Sequence, residues 1–447
     1  VLGEYRITGR RASDIAADVE RAVAEGQLAP GAALPPLRDL AGELGVNPNT
    51  VAAAYRLLRE RGVIETAGRR GSRIRPRPAT TPRDEARLPV PPGARDLSAG
   101  NPDPALLPPL GPALAAAAAG PTVLYGEPVA EPELLDGFRA EFRADGAPDG
   151  ELAVCSGALD SIGRVLAATL RTGDTVAVED PGWGSVLDLV PALGLRTAGV
   201  PVDDQGPLPD AVAAALDAGA RALVVTSRAQ NPTGAALTPA RAAALRTVLA
   251  ARPHTVLIED DHGHGMVDQP FQSLASDGRG GTTVTHWALI RSAAKALGPD
   301  LRVAVLTGDA DTVARVLGRQ RLDAGWVSHL LQRAVVELRR TDAAPAAAVA
   351  AAYRARRDAL LTALAVHGVR AHGESGVNVW VPVPDETAVS AALLHRGWVV
   401  APGSRFRLGS PPAIRIGIAA LAPAEAPALA AAIADALRGP THGSRVT

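Results

Sequence analysis

The sequence predicts a two-part protein: a small, mostly helical N-terminal module, then a large α/β domain that ends in a smaller α/β subdomain. Three observations carry that prediction. The stretch RPRPATTPRDEARLPVPPG, residues 75–93, holds six prolines and mixed charge, and reads as a semi-rigid linker with no face to bury. Beyond it, short apolar runs (TVAVED 175–180, ALVVTS 222–227, TVLIED 255–260, RVAVLTG 302–308) alternate with Ala- and Leu-rich helical stretches. That alternation is the signature of a mostly parallel sheet clothed by helices. Charge is also divided: residues 1–77 carry 13 Arg against 9 acids, and the remainder 33 basic against 38 acidic residues. A basic module on an acidic body points to nucleic-acid contact confined to one end. The expected boundaries are 1–75 for the module, 76–95 for the linker and 96–439 for the large domain. The larger part of that domain spans about 120–335 and the smaller about 340–439.

Bulk properties narrow the class. The 447 residues are 47% apolar, enough for large cores, and the net charge of −1 gives no global field for membranes or nucleic acid. The single cysteine, Cys155, excludes an intrachain disulfide and a CxxC site. The N-terminal VLGEYRITGRRAS has no apolar core of signal-peptide length, and no uncharged apolar run reaches the roughly 18 residues of a membrane span. The expectation is a soluble cytoplasmic protein, with Arg in place of nearly every Lys.

In the module, LRDLAGELGVNPNTVAAAYRLLRERGVI (37–64) predicts helix, turn, helix. Leu37, Leu40, Ala41 and Leu44 form one apolar stripe, Gly45 breaks it, Asn47 is an N-cap and Pro48 suits the first helical position. Val51, Ala54, Tyr55 and Leu58 form the next stripe. The opposite face opens with Asn49, Thr50, Ala53 and Arg56, short or polar side chains suited to phosphates and base edges in a major groove. GRRGSRIR (68–75) adds a glycine turn with four Arg, read as a β-wing against the DNA backbone or minor groove. The competing reading is an ordinary αα-hairpin with a solvated face.

In the large domain, Lys295 is the only lysine of the chain. A primary amine condenses with aldehydes and a guanidinium effectively does not, so an Arg-for-Lys bias would stall at a Schiff-base lysine. Its neighbours Ser292 and Arg302 pair a hydroxyl and a guanidinium, a phosphate-binding set. Asp260 ends an apolar strand, where open α/β sheets bind ligands, and a buried carboxylate there can keep a pyridine nitrogen protonated. Trp183 in EDPGWG offers a stacking face, QNPTG places Asn231 after a strand, and the amides near Ala158 and Leu159 in CSGALDS open a helix. Each motif alone is common in structural turns and caps. EDDHGHGMVD also suggests a metal cluster, against which Gly263 and Gly265 argue for a loop. No metal is expected.

The ordered series SGA, DPGW, NPTG, EDDH, SxxK with Arg seven residues on, then AIRIG, resembles the fold-type I aminotransferases that use pyridoxal 5′-phosphate (PLP), over roughly residues 96–437. LPPLRDLAGELGVNPNTVAAAYRLLRERGVI with GRRGSRI resembles the winged helix-turn-helix of the GntR regulators. Joined by a linker, the two are similar to the MocR subfamily, and the wording of NTVAAAY, EDDH and KALGPDLR to its PtsJ-like branch. The resemblance implies that Lys295 forms the internal aldimine and Asp260 pairs with the pyridine nitrogen. It implies that Asn231 and His262 face the ring hydroxyl, Trp183 stacks on the ring, and Ser292, Arg302 and the Ala158 and Leu159 amides hold phosphate. Arg415 would grip a substrate or effector carboxylate, or else close a structural ion pair. Tyr125 in LYGEP would reach the neighbouring subunit's phosphate, implying a homodimer. Arg38, Asn49, Thr50, Arg69, Arg70, Gly71 and Arg73 would contact double-stranded DNA. The chain departs from the pattern at Pro48 (often Arg), His262 (usually Tyr), Ala294 (often Ser) and Leu159 (often Gln). The expected function is a PLP-dependent transcriptional regulator that senses PLP or its aldimine with an amine or amino acid, with genes of vitamin B6 homeostasis as targets. The alternative is a working aminotransferase carrying an accessory DNA-binding module.

Overall fold

A computed structural model describes residues 5–29, 31–60, 63–66, 71–74, 90–342 and 345–438. In the N-terminal module, helices Ala12–Ala24, Leu37–Leu44 and Pro48–Glu60 precede a hairpin of Ile64–Thr66 with Ser72–Ile74. Both expected helices form with the expected punctuation. Gly45 closes the first in the left-handed region at φ 63°, which a Cβ disfavours. The Asn47 side chain accepts the Asn49 N–H at 2.9 Å. Val51, Ala54, Tyr55 and Leu58 are all buried, against Ile15, Val19 and Leu40. The first stripe is only partly realised: Leu40 and Ala41 are buried, whereas Leu37, at the start of its helix, stays 38% exposed.

The large domain is built on one eight-stranded sheet. Its spatial order is Glu151–Cys155, Ala304–Gly308, His286–Ser292, Val256–Asp260, Ala220–Thr226, Thr175–Asp180, Arg196–Asp203 and Gly206–Pro207. The five strands from His286–Ser292 to Arg196–Asp203 run parallel, and Ala304–Gly308 lies antiparallel to both its neighbours. Side chains alternate between two cores, as a pleat of period two requires. Leu223, Val225, Leu257 and Leu289 enter one core, and Val224, Val256, Ile258 and Ile290 the other. Burial on both faces explains why these strands read as unbroken apolar runs. Because they run parallel, their carboxyl ends gather acids and turns along one edge: Asp180, Asp260 and Ser292.

The smaller subdomain has an antiparallel sheet of Asn378–Pro382, Ala413–Gly417 and Ala401–Pro402, covered by helices Ala346–Val366, Glu386–His395 and Ala426–Arg438. The chain that leaves the linker joins it too. Arg95–Asp96 pairs in parallel with Trp398–Val399, and Arg95 is held by Glu425 at 2.7 Å and by the Ala420 carbonyl at 2.6 Å. Sequence reading started the smaller part near residue 340. The structure adds the strand at 95–96, a pairing across some 300 residues that local pattern does not report. Among the described residues, no helix is long and apolar enough to cross a membrane.

Candidate functional site

Lys295, Asp260, His262 and Trp183 gather at the carboxyl edge of the sheet. Strand register sets the arrangement: Ile290 lies beside Asp260, and Asp260 beside Thr226. His286–Ser292 then turns into the short helix Ala294–Leu297, which carries Lys295. The Lys295 amine donates to the Gly100 carbonyl at 2.5 Å. The Asp260 carboxyl is buried, and burial first, then the charges of Asp261 and Glu179, push it up to about 8; only Lys295 opposes them. His262 Nδ1 lies 3.8 Å from Asp260 Oδ2. Burial, with Lys295 and Arg415 nearby, lowers that imidazole to about 3, so it is neutral at physiological pH. Trp183 is half-buried, its ring centroid 6.1 Å from that of His262 and inclined 54° to it.

The phosphate-binding candidates meet at a neighbouring strand end. Glu151–Cys155 passes through Ser156 and Gly157 into the helix Ala158–Thr169, so the first amides of that helix have no carbonyl one turn back. Gly157 has φ 94°, and a Cβ there would come within 2.5 Å of the Arg302 guanidinium. Arg302 is itself left-handed (φ 48°) and donates to the Ser156 carbonyl at 2.6 Å. The Ser292 hydroxyl accepts the Ala294 amide at 3.2 Å. A missing side chain, a helix N-terminus and a guanidinium thus meet at this turn, and sheet register aligns Ser292 with Ala304 and Ala304 with Cys155.

These residues fit PLP on two structural grounds. Any other residue at 157 would place carbon against Arg302, so the glycine lets that guanidinium stand beside the helix N-terminus, two groups suited to a phosphate. Asp260 is a buried carboxyl that ionises readily only when a further cation, such as a protonated ring nitrogen, joins it.

Two groups link the site to the smaller subdomain. Arg415, on Ala413–Gly417, donates to Asn231 Oδ1 at 2.9 Å and to the Ser98 carbonyl at 2.6 Å, and lies 4.3 Å over the Phe406 ring. Asp180 accepts from the amides of Leu408, Gly409 and Ser410 at 2.8–3.1 Å and from the Ser410 hydroxyl at 2.9 Å. Sequence reading missed the role of Asp180, although it stands in the quoted EDPGWG. It also missed Ser375, a fully buried hydroxyl that accepts the Ala229 amide at 2.7 Å and donates to the Gly234 carbonyl at 3.2 Å. Ser375 therefore clamps the loop of Asn231, and nothing in its local sequence marks it.

Beside Asp260, Asp261 has opposite surroundings. It receives Arg228 Nε at 2.7 Å, Arg228 Nη2 at 3.0 Å and Arg291 Nε at 2.9 Å, and these hold it below the usual carboxylate range despite full burial. Arg291 also binds Asp145 and lies over the rings of Phe142 and Phe271. The two histidines of EDDHGHG diverge. His262 faces Asp260, and His264 Nε2 faces Glu141 at 3.1 Å. Among the described residues no group of three or more His, Cys, Asp or Glu is disposed to hold a metal ion.

Tyr125 is 92% exposed, edge-on to Trp326 with centroids 5.3 Å apart. On the basic module, Arg38, Asn49 and Arg56 are exposed and Thr50 is half-buried. Gly71 is exposed at φ 77°, and Arg73 is half-buried in the second strand of the hairpin. Arg69 and Arg70 lie outside the described residues.

Comparison with known proteins bears on both halves. Residues 95–433 match the model of aminotransferase class I and II, and residues 11–74 that of the bacterial regulatory proteins of the gntR family. The vitamin B6 salvage pathway transcriptional repressor PtsJ of Salmonella typhimurium is 39% identical over 441 residues, covering 96% of this chain and 99% of that protein. The pyridoxine biosynthesis transcriptional regulator PdxR of Corynebacterium glutamicum is 31% identical, over 58% of this chain and 59% of its own. Among solved structures, the α-aminoadipate aminotransferase LysN of Thermus thermophilus, complexed with N-(5′-phosphopyridoxyl)-L-leucine, superposes with a TM-score of 0.68. It shares 23% identity and covers 78% of this chain and 93% of its own, a likeness of fold.

Proposed function

The chain belongs to the MocR-type regulators, a gntR DNA-binding module joined to an aminotransferase class I and II domain, and is a DNA-binding transcriptional regulator with PLP as its cofactor; from that premise we propose that the large domain is a sensor. It reads PLP, or PLP together with an amine or amino acid, and alters how the basic modules meet DNA. One observation carries the reading: a reactive amine, an uncompensated buried carboxyl and an arginine with neutral partners converge on one crevice of a chain that also bears a winged helix. The names of the relatives PtsJ and PdxR, both regulators concerned with vitamin B6, support genes of B6 metabolism as targets.

When bound, PLP supplies an aldehyde carbon and an electron-withdrawing ring. Lys295 provides the amine for that aldehyde. Asp260 holds a proton on the pyridine nitrogen and becomes ionised in doing so. His262, neutral, donates or accepts a hydrogen bond at the ring oxygen without adding charge, and Asn231 approaches the same oxygen. Trp183 covers one ring face and excludes water. Ser292, Arg302 and the amides of Ala158 and Leu159 bind the phosphate. Arg415 exchanges its neutral acceptors for an effector carboxylate, to which a guanidinium binds in bidentate fashion. Exposed Tyr125 and the edge-on Trp326 support a homodimer in which this edge meets a second copy, so that two basic heads address a two-part operator.

The test is DNA affinity measured by fluorescence anisotropy on the region upstream of the chain's own gene, across a salt series and with or without PLP. Salt-dependent, PLP-responsive binding is expected. Absence of any salt-dependent affinity would sink the regulator reading. A second reading, an active aminotransferase, is favoured by the Asn231–Arg415 contact. Addition of amino acids to the PLP-loaded protein distinguishes the two: repeated turnover to the pyridoxamine form supports catalysis, and a spectral shift without turnover supports sensing.

A further inference from the structure

Lys295 and Arg415 hold the same four residues. Lys295 Nζ donates to the Gly100 carbonyl at 2.5 Å, and Arg415 Nη2 to the Ser98 carbonyl at 2.6 Å. A Cβ on Gly100 would lie 3.2 Å from Arg415 Nη1, so the guanidinium also lies close to Gly100. The same segment, Leu97–Gly100, is the first stretch of body after the linker. On its N-terminal side it is fixed to the smaller subdomain. The Leu97 amide donates to Val399 at 2.8 Å, the Gly417 amide to Leu97 at 2.7 Å, and Arg95 pairs with Glu425 and Ala420. The two cations of the ligand crevice therefore close onto the point where the linker from the DNA-binding module enters the body.

We propose that Leu97–Gly100 is a ligand-operated strap, released when Lys295 and Arg415 transfer their hydrogen bonds to ligand, and that its release changes how the linker leaves the body. The inference rests on the sensor reading and gives it a route. Condensation of the Lys295 ammonium with an aldehyde forms a C=N bond and releases one water, leaving a nitrogen with a single N–H in place of three. That nitrogen is drawn toward the aldehyde carbon and can no longer serve the Gly100 carbonyl. An effector carboxylate likewise competes with the Ser98 carbonyl for Arg415, and a charged acceptor wins over a neutral one. PLP loosens the strap at Gly100 and an amino-acid effector loosens it at Ser98, while Leu97 stays paired to the smaller subdomain and carries the entry of the linker with it.

Two substitutions separate the hydrogen bond from the condensation. Lys295→Ala can do neither. Lys295→Arg keeps a cationic donor within reach of Gly100 but cannot form the C=N bond. Hydrogen–deuterium exchange on the full-length protein, followed on peptides covering 95–103, reads the strap directly. In the wild type, PLP is expected to speed exchange there by about tenfold, the effect of losing one charge-assisted hydrogen bond. Lys295→Ala should exchange fast with or without PLP and hold DNA with the affinity of the PLP-bound wild type. Lys295→Arg should exchange slowly in both conditions and hold DNA like the ligand-free protein. If PLP loads, as its absorbance reports, and changes DNA affinity while exchange at 95–103 stays constant, the strap is wrong and the sensor reading survives. If Lys295→Ala and Lys295→Arg behave alike on DNA and in exchange, the strap is also wrong. If the wild type loads PLP but its DNA affinity does not respond, the sensor reading itself fails.

Discussion

Asp260 and Asp261 are consecutive residues at the end of one strand, both buried, yet their surroundings differ completely. Asp261 is saturated: two arginines supply three hydrogen bonds, and the pair with Arg291 continues to Asp145. Asp260 has a neutral imidazole at 3.8 Å, and the charge of Lys295 does not offset its burial and the carboxyls of Asp261 and Glu179. A carboxylate with its charge already balanced holds the protein together. One whose balance is missing holds a place for a ligand, and the apo protein bears the cost as a raised pKa.

Removal of Asp261 gives the largest expected effect. Asp261→Ala strands two buried guanidinium groups and should destabilise the domain by about 3–5 kcal/mol, read by urea unfolding of the apo protein. Asp260→Asn should do the opposite. An amide replaces a carboxyl that is largely neutral in the folded apo state near pH 7, so stability there should rise by about 2 kcal/mol while PLP loading, followed by visible absorbance, collapses. If Asp260→Asn destabilises as strongly as Asp261→Ala, the two carboxyls are not opposites.

The pH profile sharpens the same contrast. Asp260 is raised to about 8, and Glu179 and Glu259 to about 7. Each binds a proton in the folded state that the unfolded chain has already lost, so stability falls as pH rises from about 4.5 to 8. His262, lowered to about 3, opposes this below about 6.5, where only the unfolded chain takes up a proton. Three carboxyls outweigh one imidazole, and thermal melts of the apo protein should fall from pH 5 to pH 8. Asp260→Asn should flatten that slope, and saturating PLP should flatten it too.

Two smaller effects follow at the rim. Gly157→Ala forces a Cβ into a left-handed position and against Arg302, costing about 1–2 kcal/mol of stability and weakening PLP binding about tenfold. Ser375→Ala leaves the Ala229 amide buried without its acceptor and should cost about 1 kcal/mol by urea unfolding, with a modest loss of effector affinity through the Asn231 loop.

Much of the fold was legible because its signals are local. The parallel strands announced themselves as apolar runs, since both their faces are buried, and the helix Pro48–Glu60 by Asn47, Pro48 and a stripe that packs throughout. The stripe of Leu37–Leu44 overstated its helix, because periodicity marks a face without saying how far the neighbouring core extends. The candidate site residues were picked out by their chemistry at strand ends, Lys295 most directly, as a lone lysine in an arginine-rich chain. Asp180 was quoted without a role because its partners lie some 230 residues away, at 408–410. Ser375 carried no signal at all.

The sequence by itself determined the two folded classes, the order of their elements and the lone lysine that is the candidate for the reactive amine, because each depends on residue type and on spacing within a few turns of chain. Tertiary structure alone decided which of two adjacent aspartates is balanced and that Lys295 and Arg415 grip one segment. Those facts rest on contacts between residues 30, 33, 195 and 317 positions apart. Charge balance and hydrogen-bond competition depend on distance in space, and only the folded sheet and the subdomain closed over it bring those groups together.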